Sequence, residues 1–159
     1  MSNLGSTTLA QVAIVVRDIE ASSKRWAGVL GLPVPNIITV QPGSQVNMTY
    51  RGLPSDAQAK LAFFSLGQVQ LELIEPMGGE STWREALDRN GESVHHLAFW
   101  VEGMQRSVDF LAGHGIPMVQ RGDMGEGQYA YFDAEGPLGV TLELLEKVRD
   151  ARTEAKPLG

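Results

Sequence analysis

Gln11-Val-Ala-Ile-Val-Val16 reads against His96-Leu-Ala-Phe-Trp-Val101, an apolar, β-branched or aromatic run in each case, led by a polar residue at the same place. The same offset pairs Ile19 with Met104, Ser23 with Val108 and Trp26 with Leu111. One deletion later, Gly31-Leu-Pro33 matches Gly115-Ile-Pro117. The far ends of the two units agree as well. Leu71-Glu-Leu-Ile-Glu75 matches Leu142-Glu-Leu-Leu-Glu146, and Ala62-Phe-Phe64 resembles Ala130-Tyr-Phe132. Matches in the same order at both ends of a unit indicate an internal duplication, which decides the fold before any single element is assigned.

Each unit reads as a strand, a helix and further strands. Residues 11–16 and 94–101 have strand composition. Apolar spacing then shifts to the helical period, with Ile19, Trp26 and Leu30 in the first copy and Met104, Val108 and Leu111 in the second. Asp18 is an N-cap candidate, and the Gly-x-Pro triplets end both helices, because Gly accepts a left-handed cap and Pro cannot continue a helix. Strands are expected at Val46–Tyr50, Leu61–Leu66 and Gln70–Glu75, with counterparts at Met118–Gln120, Ala130–Phe132 and Val140–Leu145. Thr82-Trp-Arg-Glu85 is a capping box opening a short helix that Asn90-Gly91 closes. The expected architecture is α+β: two repeated βαβββ modules, 8–76 and 94–146, form a curved mixed sheet around a shared cavity. A connecting helix and loop span 77–93, and 147–159 reads as a solvated tail.

Composition narrows the function. The chain has 159 residues, with 43% hydrophobic and 20% charged residues, which is globular usage. Thirteen basic against nineteen acidic side chains give a net charge of −6, so a basic face for nucleic acid or an anionic membrane is not expected. There are no cysteines, which removes disulfides, thiolate metal sites and thiol nucleophiles. Val12-Ala-Ile-Val-Val16 is far short of a membrane span, and the first residues show no signal-peptide pattern, so a soluble cytoplasmic protein is expected.

Alternation along a strand decides which residues share a face. Gln11 and His96 occupy equivalent places in the first strand of each copy, and Glu72 and Glu143 occupy equivalent places in the last, each between two leucines. A carboxylate within an apolar strand must face water, a cation or a hydrogen-bond partner, since burying it alone costs several kcal/mol. One imidazole, one amide oxygen and two carboxylates suit one divalent ion. The alternative is that both glutamates line the solvated face of a half-exposed sheet. Next to His96, alternation places His95 on the opposite face.

These residues resemble the vicinal oxygen chelate superfamily, which includes glyoxalases, methylmalonyl-CoA epimerases, extradiol dioxygenases and fosfomycin- and bleomycin-resistance proteins. The resemblance runs from about Thr8 to Glu146. It is carried by Gln11 to Asp18, Leu30-Gly31, Leu71-Glu-Leu-Ile-Glu-Pro76, His95-His-Leu-Ala98 and Gly139-Val-Thr-Leu-Glu-Leu144. The second half looks most like a methylmalonyl-CoA epimerase, through the double His, Gly125-Glu-Gly127, Phe132 and Gly139-Val to Glu143. That branch usually has His at the Gln11 position and a glutamate base where Asn47 stands, and it often carries a Lys or Arg after Gly127 that is not found here. The set Gln11, Glu72, His96 and Glu143 instead resembles the ligands of eukaryotic-type glyoxalases. Extradiol chemistry fits less well, because Gln11 replaces its first histidine.

The resemblance implies a glyoxalase- or epimerase-like enzyme, an isomerase, epimerase or lyase, acting on a small oxygenated or thioester-type substrate. One divalent ion (Zn, Ni, Co, Mn or Fe) would polarise a carbonyl, and Glu143 and Glu72 are the candidate catalytic bases for the adjacent proton. Trp100, Arg51 and Asn47 are candidate substrate contacts, and His95 is expected to support His96 rather than bind metal. A homodimer is implied. The alternative is a non-catalytic, resistance-type protein binding a small molecule in the same cavity.

Overall fold

The computed structural model describes residues 3–147. The expected tail therefore lies outside the described residues, apart from Lys147, which ends the last strand. In chain order the elements are β1 (Leu9–Val15), α1 (Ile19–Leu30), β2 (Ile38–Thr39), β3 (Thr49–Tyr50), β4 (Leu53–Pro54), β5 (Gln58–Leu66) and β6 (Val69–Met77). Then come α2 (Thr82–Asn90), β7 (Ser93–Trp100), α3 (Met104–Gly113), β8 (Met118–Met124), β9 (Gly127–Phe132), α4 (Glu135–Leu138) and β10 (Thr141–Lys147).

All ten strands join one curled sheet in the order β2-β5-β6-β1-β7-β10-β9-β8-β3-β4. Its centre is the antiparallel pair β1–β7. Outward from it, β6 runs parallel to β1 and β10 parallel to β7. Next come β5 and β9, then β2 and β8, each antiparallel to its inner neighbour. Read outward from β1–β7, the first four strands on each side follow the same pattern of directions, the structural counterpart of the repeat in the sequence, and β3 and β4 extend the β7 side alone.

The helices decide which face of the sheet is left for a site. Asp18 accepts the Ala21 N–H at 2.9 Å and starts α1, and Gly31 ends it at φ 67. The buried side of α1, with Ile19 and Ala27, packs on Phe64, Leu71 and Leu73, while Met104 and Leu111 of α3 pack on Phe132, Leu142 and Leu144. Leu71 and Leu73 flank Glu72, and Leu142 and Leu144 flank Glu143. With the leucines turned to the helices, period-two alternation turns both glutamates to the other face. There α2 packs Trp83, Ala86 and Leu87 against Ala13, Val15 and Ile74.

Two expectations change. Val46–Tyr50 is not one strand: Gly43–Gln45 forms a 3-10 turn, Asn47 sits at φ 50, and only Thr49–Tyr50 is extended. Gly43 is needed there, since a Cβ would meet the Ser55 carbonyl oxygen at 2.1 Å. This segment crosses to the other module, where Thr49 pairs with Arg121 and Tyr50 with Gln120 of β8. The second change is the start of α2. Ser81, not Thr82, accepts the Arg84 N–H and is its N-cap. Glu85 is drawn away from a capping box by Arg51, at 2.9 and 3.0 Å, and by the Tyr50 hydroxyl.

Candidate metal centre

The sheet register assembles the polar cluster. Ala13 of β1 is paired with Glu72 on one side and His96 on the other. Ala98 of β7 is paired with Gln11 and with Glu143. Directly paired residues share a face, so Gln11, Glu72, His96 and Glu143 all rise from the face opposite α1 and α3. Both alanines are fully buried. Their methyl groups leave room for longer side chains from three different strands to meet above them.

Glu72, His96 and Glu143 meet in this way, each offering one ligand atom, and these atoms lie within 4.8 Å of one another. His96 Nε2 is 2.9 Å from Glu143 Oε2 and 3.3 Å from Glu72 Oε2. Despite these distances, none of the three atoms has a partner in hydrogen-bond geometry, and all three are buried. Two buried carboxylates need positive charge between them, which a proton on His96 supplies in the metal-free chain. A divalent cation would take that place. Two carboxylate oxygens and an imidazole nitrogen are ligands that zinc and its first-row neighbours accept.

His95 completes the arrangement in a way that alternation did not anticipate. The β1–β7 ladder steps from Ala13↔His96 to Ile14↔Val94, so His95 is an extra, bulged residue. Both imidazoles are buried, with His95 Nδ1 2.9 Å from His96 Nδ1. That contact occupies one nitrogen of His96 and leaves Nε2 for the carboxylates. Burial and the charge on His96 push His95 well below the usual histidine range. Burial also opposes charge on His96, but the Glu143 and Glu72 carboxylates outweigh it and hold His96 up at about 9. Burial raises Glu72; His96 opposes that rise and the Glu143 charge adds to it.

The cluster opens into a cavity of about 360 Å³ that Gln11, Glu72 and Glu143 all line. The Gln11 amide nitrogen donates to Gln70 Oε1 at 3.1 Å. The three expected substrate contacts are not among the residues lining this cavity. Trp100 packs on Ala10, Ala98 and Leu145 with the Lys147 ammonium 4.9 Å from its ring centre. Arg51, at φ 50, is paired with Glu85, and exposed Asn47 donates to Asp123 Oδ2 at 2.6 Å.

Sequence reasoning did not single out Trp83, Tyr129 and Tyr131, which line the cavity. Trp83 Nε1 donates to the Tyr131 hydroxyl at 3.0 Å, and the Tyr131 ring lies 5.0 Å from that of His96. Burial pushes the Tyr129 hydroxyl up to about 12. The available signal was period two in Tyr129-Ala-Tyr131, which puts both rings on the face of Glu143, the residue paired with Tyr131.

The sequence profile described as "Glyoxalase/Bleomycin resistance protein/Dioxygenase superfamily" matches residues 10–132. Uncharacterized protein YqjC of Bacillus subtilis (strain 168) is 27% identical over 150 residues, covering 92% of this chain and 96% of that protein. Mitochondrial methylmalonyl-CoA epimerase of Mus musculus is 27% identical over 101 residues, 63% of this chain and 49% of the mouse protein. The crystal structure of methylmalonyl-CoA epimerase from Mycobacterium tuberculosis shares the fold, with a TM-score of 0.62 at 19% identity over 98% of this chain and 97% of that one.

Proposed function

The chain belongs to the glyoxalase/bleomycin resistance protein/dioxygenase superfamily, and we propose that within it the protein is a metal-dependent, epimerase-like enzyme. On this reading it moves a proton at a carbon next to a carbonyl of a small substrate, as an isomerase, epimerase or lyase. The observation that supports it most is the convergence of three buried ligand atoms, two carboxylate oxygens and one imidazole nitrogen, from three strands.

Glu72, His96 and Glu143, with Gln11 on the same face, would hold one divalent ion, Zn, Ni, Co, Mn or Fe. When bound, such an ion supplies Lewis-acid polarisation of a carbonyl, worth several kcal/mol at a developing negative charge. The protein's own part is proton handling. Glu72 arrives from β6 and Glu143 from β10, on the two sides of the central β1–β7 pair. Burial raises the Glu72 carboxyl above its ordinary range, which makes it a stronger proton acceptor than an exposed carboxylate. If one carboxylate removes the proton and the other returns it, the carbon is inverted. If one carboxylate carries it between neighbouring carbons, the product is an isomer. The buried cavity floor keeps bulk water from competing for that proton.

A homodimer and a cytoplasmic location belong to the same proposal; among the described residues no helix is long and apolar enough to cross a membrane. The test is solvent deuterium incorporation, followed by NMR, for metal-loaded protein with hemithioacetals of 2-oxoaldehydes, 2-substituted acyl thioesters and simple ketones. Exchange at the carbon beside the carbonyl that disappears in Glu143→Gln supports the reading. Binding without exchange in any of these compounds contradicts it and favours a non-catalytic binding protein.

A further inference from the structure

Resting on the metal-dependent reading above, we infer that the substrate is a carbonyl compound with an apolar, uncharged body, and not an acyl-coenzyme A, a phosphorylated compound or a dicarboxylate. Charge is the first observation. The cavity carries Glu72 and Glu143 in its floor and Asp123 near its rim, and among the described residues no lysine or arginine lines it. Nearby basic side chains are committed elsewhere: Lys60 of β5 to Glu75 at 3.3 Å, Arg51 in the turn after β3 to Glu85 at 2.9 Å and Arg121 of β8 to Gln128 at 3.0 Å. Two glutamates already balance a divalent ion. A carboxylate or phosphate on the substrate body would therefore be buried without a counter-charge, which is strongly unfavourable.

The walls are the second observation. Each carboxylate has an aromatic cross-strand neighbour, Phe63 beside Glu72 and Tyr131 beside Glu143. Around them Val40, Met48, Leu61 and Leu145 supply aliphatic surface. Trp83 stands edge-on to Tyr131, with ring centres 6.0 Å apart. About 360 Å³ between such walls suits an aryl or branched alkyl body. The reacting carbon would sit by the carboxylates while the body lies against the rings.

The experiment is calorimetric titration of the zinc-equilibrated full chain with acetophenone, butyrophenone and hexanophenone, and with 4-acetylbenzoate and acetyl-CoA. Dissociation constants should fall about fourfold per added methylene while the chain still fits. 4-Acetylbenzoate should bind at least tenfold more weakly than acetophenone, and acetyl-CoA no more tightly. Ile38 is exposed on the rim and shares the cavity face of its paired residue Leu61. Ile38→Lys should narrow the gap between the acid and the ketone at least threefold, without a folding penalty. Tighter binding of 4-acetylbenzoate or acetyl-CoA than of acetophenone overturns the inference, as does an unchanged ratio in Ile38→Lys or no saturable binding of any ketone. Zinc content of the same samples reports separately on the metal reading, because the ketone series probes the walls whether or not the ion is held.

Discussion

At His96 the nitrogen that faces the carboxylates is selected by the other nitrogen, which lies 2.9 Å from His95 Nδ1. His95→Phe keeps a ring in the bulge but removes that partner, and should weaken metal binding about 10–100-fold with all four proposed ligands intact. Equilibrium titration against a competing chelator measures this; unchanged affinity would show that His95 only fills space. The protonation of His96 gives a second expectation. Its two carboxylate neighbours hold it up at about 9, and a ligand imidazole must be neutral, so each ion bound at pH 7 displaces a proton. Apparent affinity should therefore rise about tenfold per pH unit between pH 6.5 and 8, read from titrations in buffers of different ionisation enthalpy. A flat profile would contradict a raised His96. The pairing of Glu72 with Glu143 was legible in the sequence because leucines bracket both. The position of His95 was not, because a one-residue bulge in β7 cancels the alternation on which the reading depended.

At the scale of the element, the centre depends on register as much as on its donors. Ala98 is fully buried between Gln11 and Glu143, so Ala98→Leu should fill the space above the sheet and abolish metal binding while every donor remains. Overpacking costs ~1–3 kcal/mol, and circular dichroism with a melting curve separates loss of the site from loss of the fold. A folded Ala98→Leu protein with full metal affinity would contradict this construction of the site. Outside the site, Asp18→Ala removes the α1 cap and should cost about 1 kcal/mol without touching metal affinity. Both long helices and the seven strands of six or more residues could be read from periodicity and punctuation. The two-residue strands β2 and β4 could not, and β3 was expected too long, since two residues carry no period. β3 is extended because it finds β8 in the opposite module, a partner that no local pattern announces.

For the molecule as a whole, Glu72, His96 and Glu143 come from three strands around the central β1–β7 pair, so an ion held there ties the two repeated halves together. A ligand that binds only the folded chain stabilises it by about 2.7 kcal/mol at a concentration of 100 Kd. For a domain of this size that is ~5–10 °C in melting temperature. The shift should appear with the wild type and vanish with Glu143→Gln. The duplication made the two-sided sheet and its polar centre predictable from the sequence. The cavity wall was harder to foresee, since Trp83 comes from the linker helix and Tyr129 and Tyr131 look like ordinary strand residues until the sheet curls. The most direct measurement is metal analysis after the metal-free chain is equilibrated with zinc, nickel, cobalt, manganese or ferrous iron and then desalted. One ion per wild-type chain and none in folded Glu143→Gln is the predicted result. Wild-type protein that retains no ion from this set, or folded Glu143→Gln that retains as much as wild type, would contradict it.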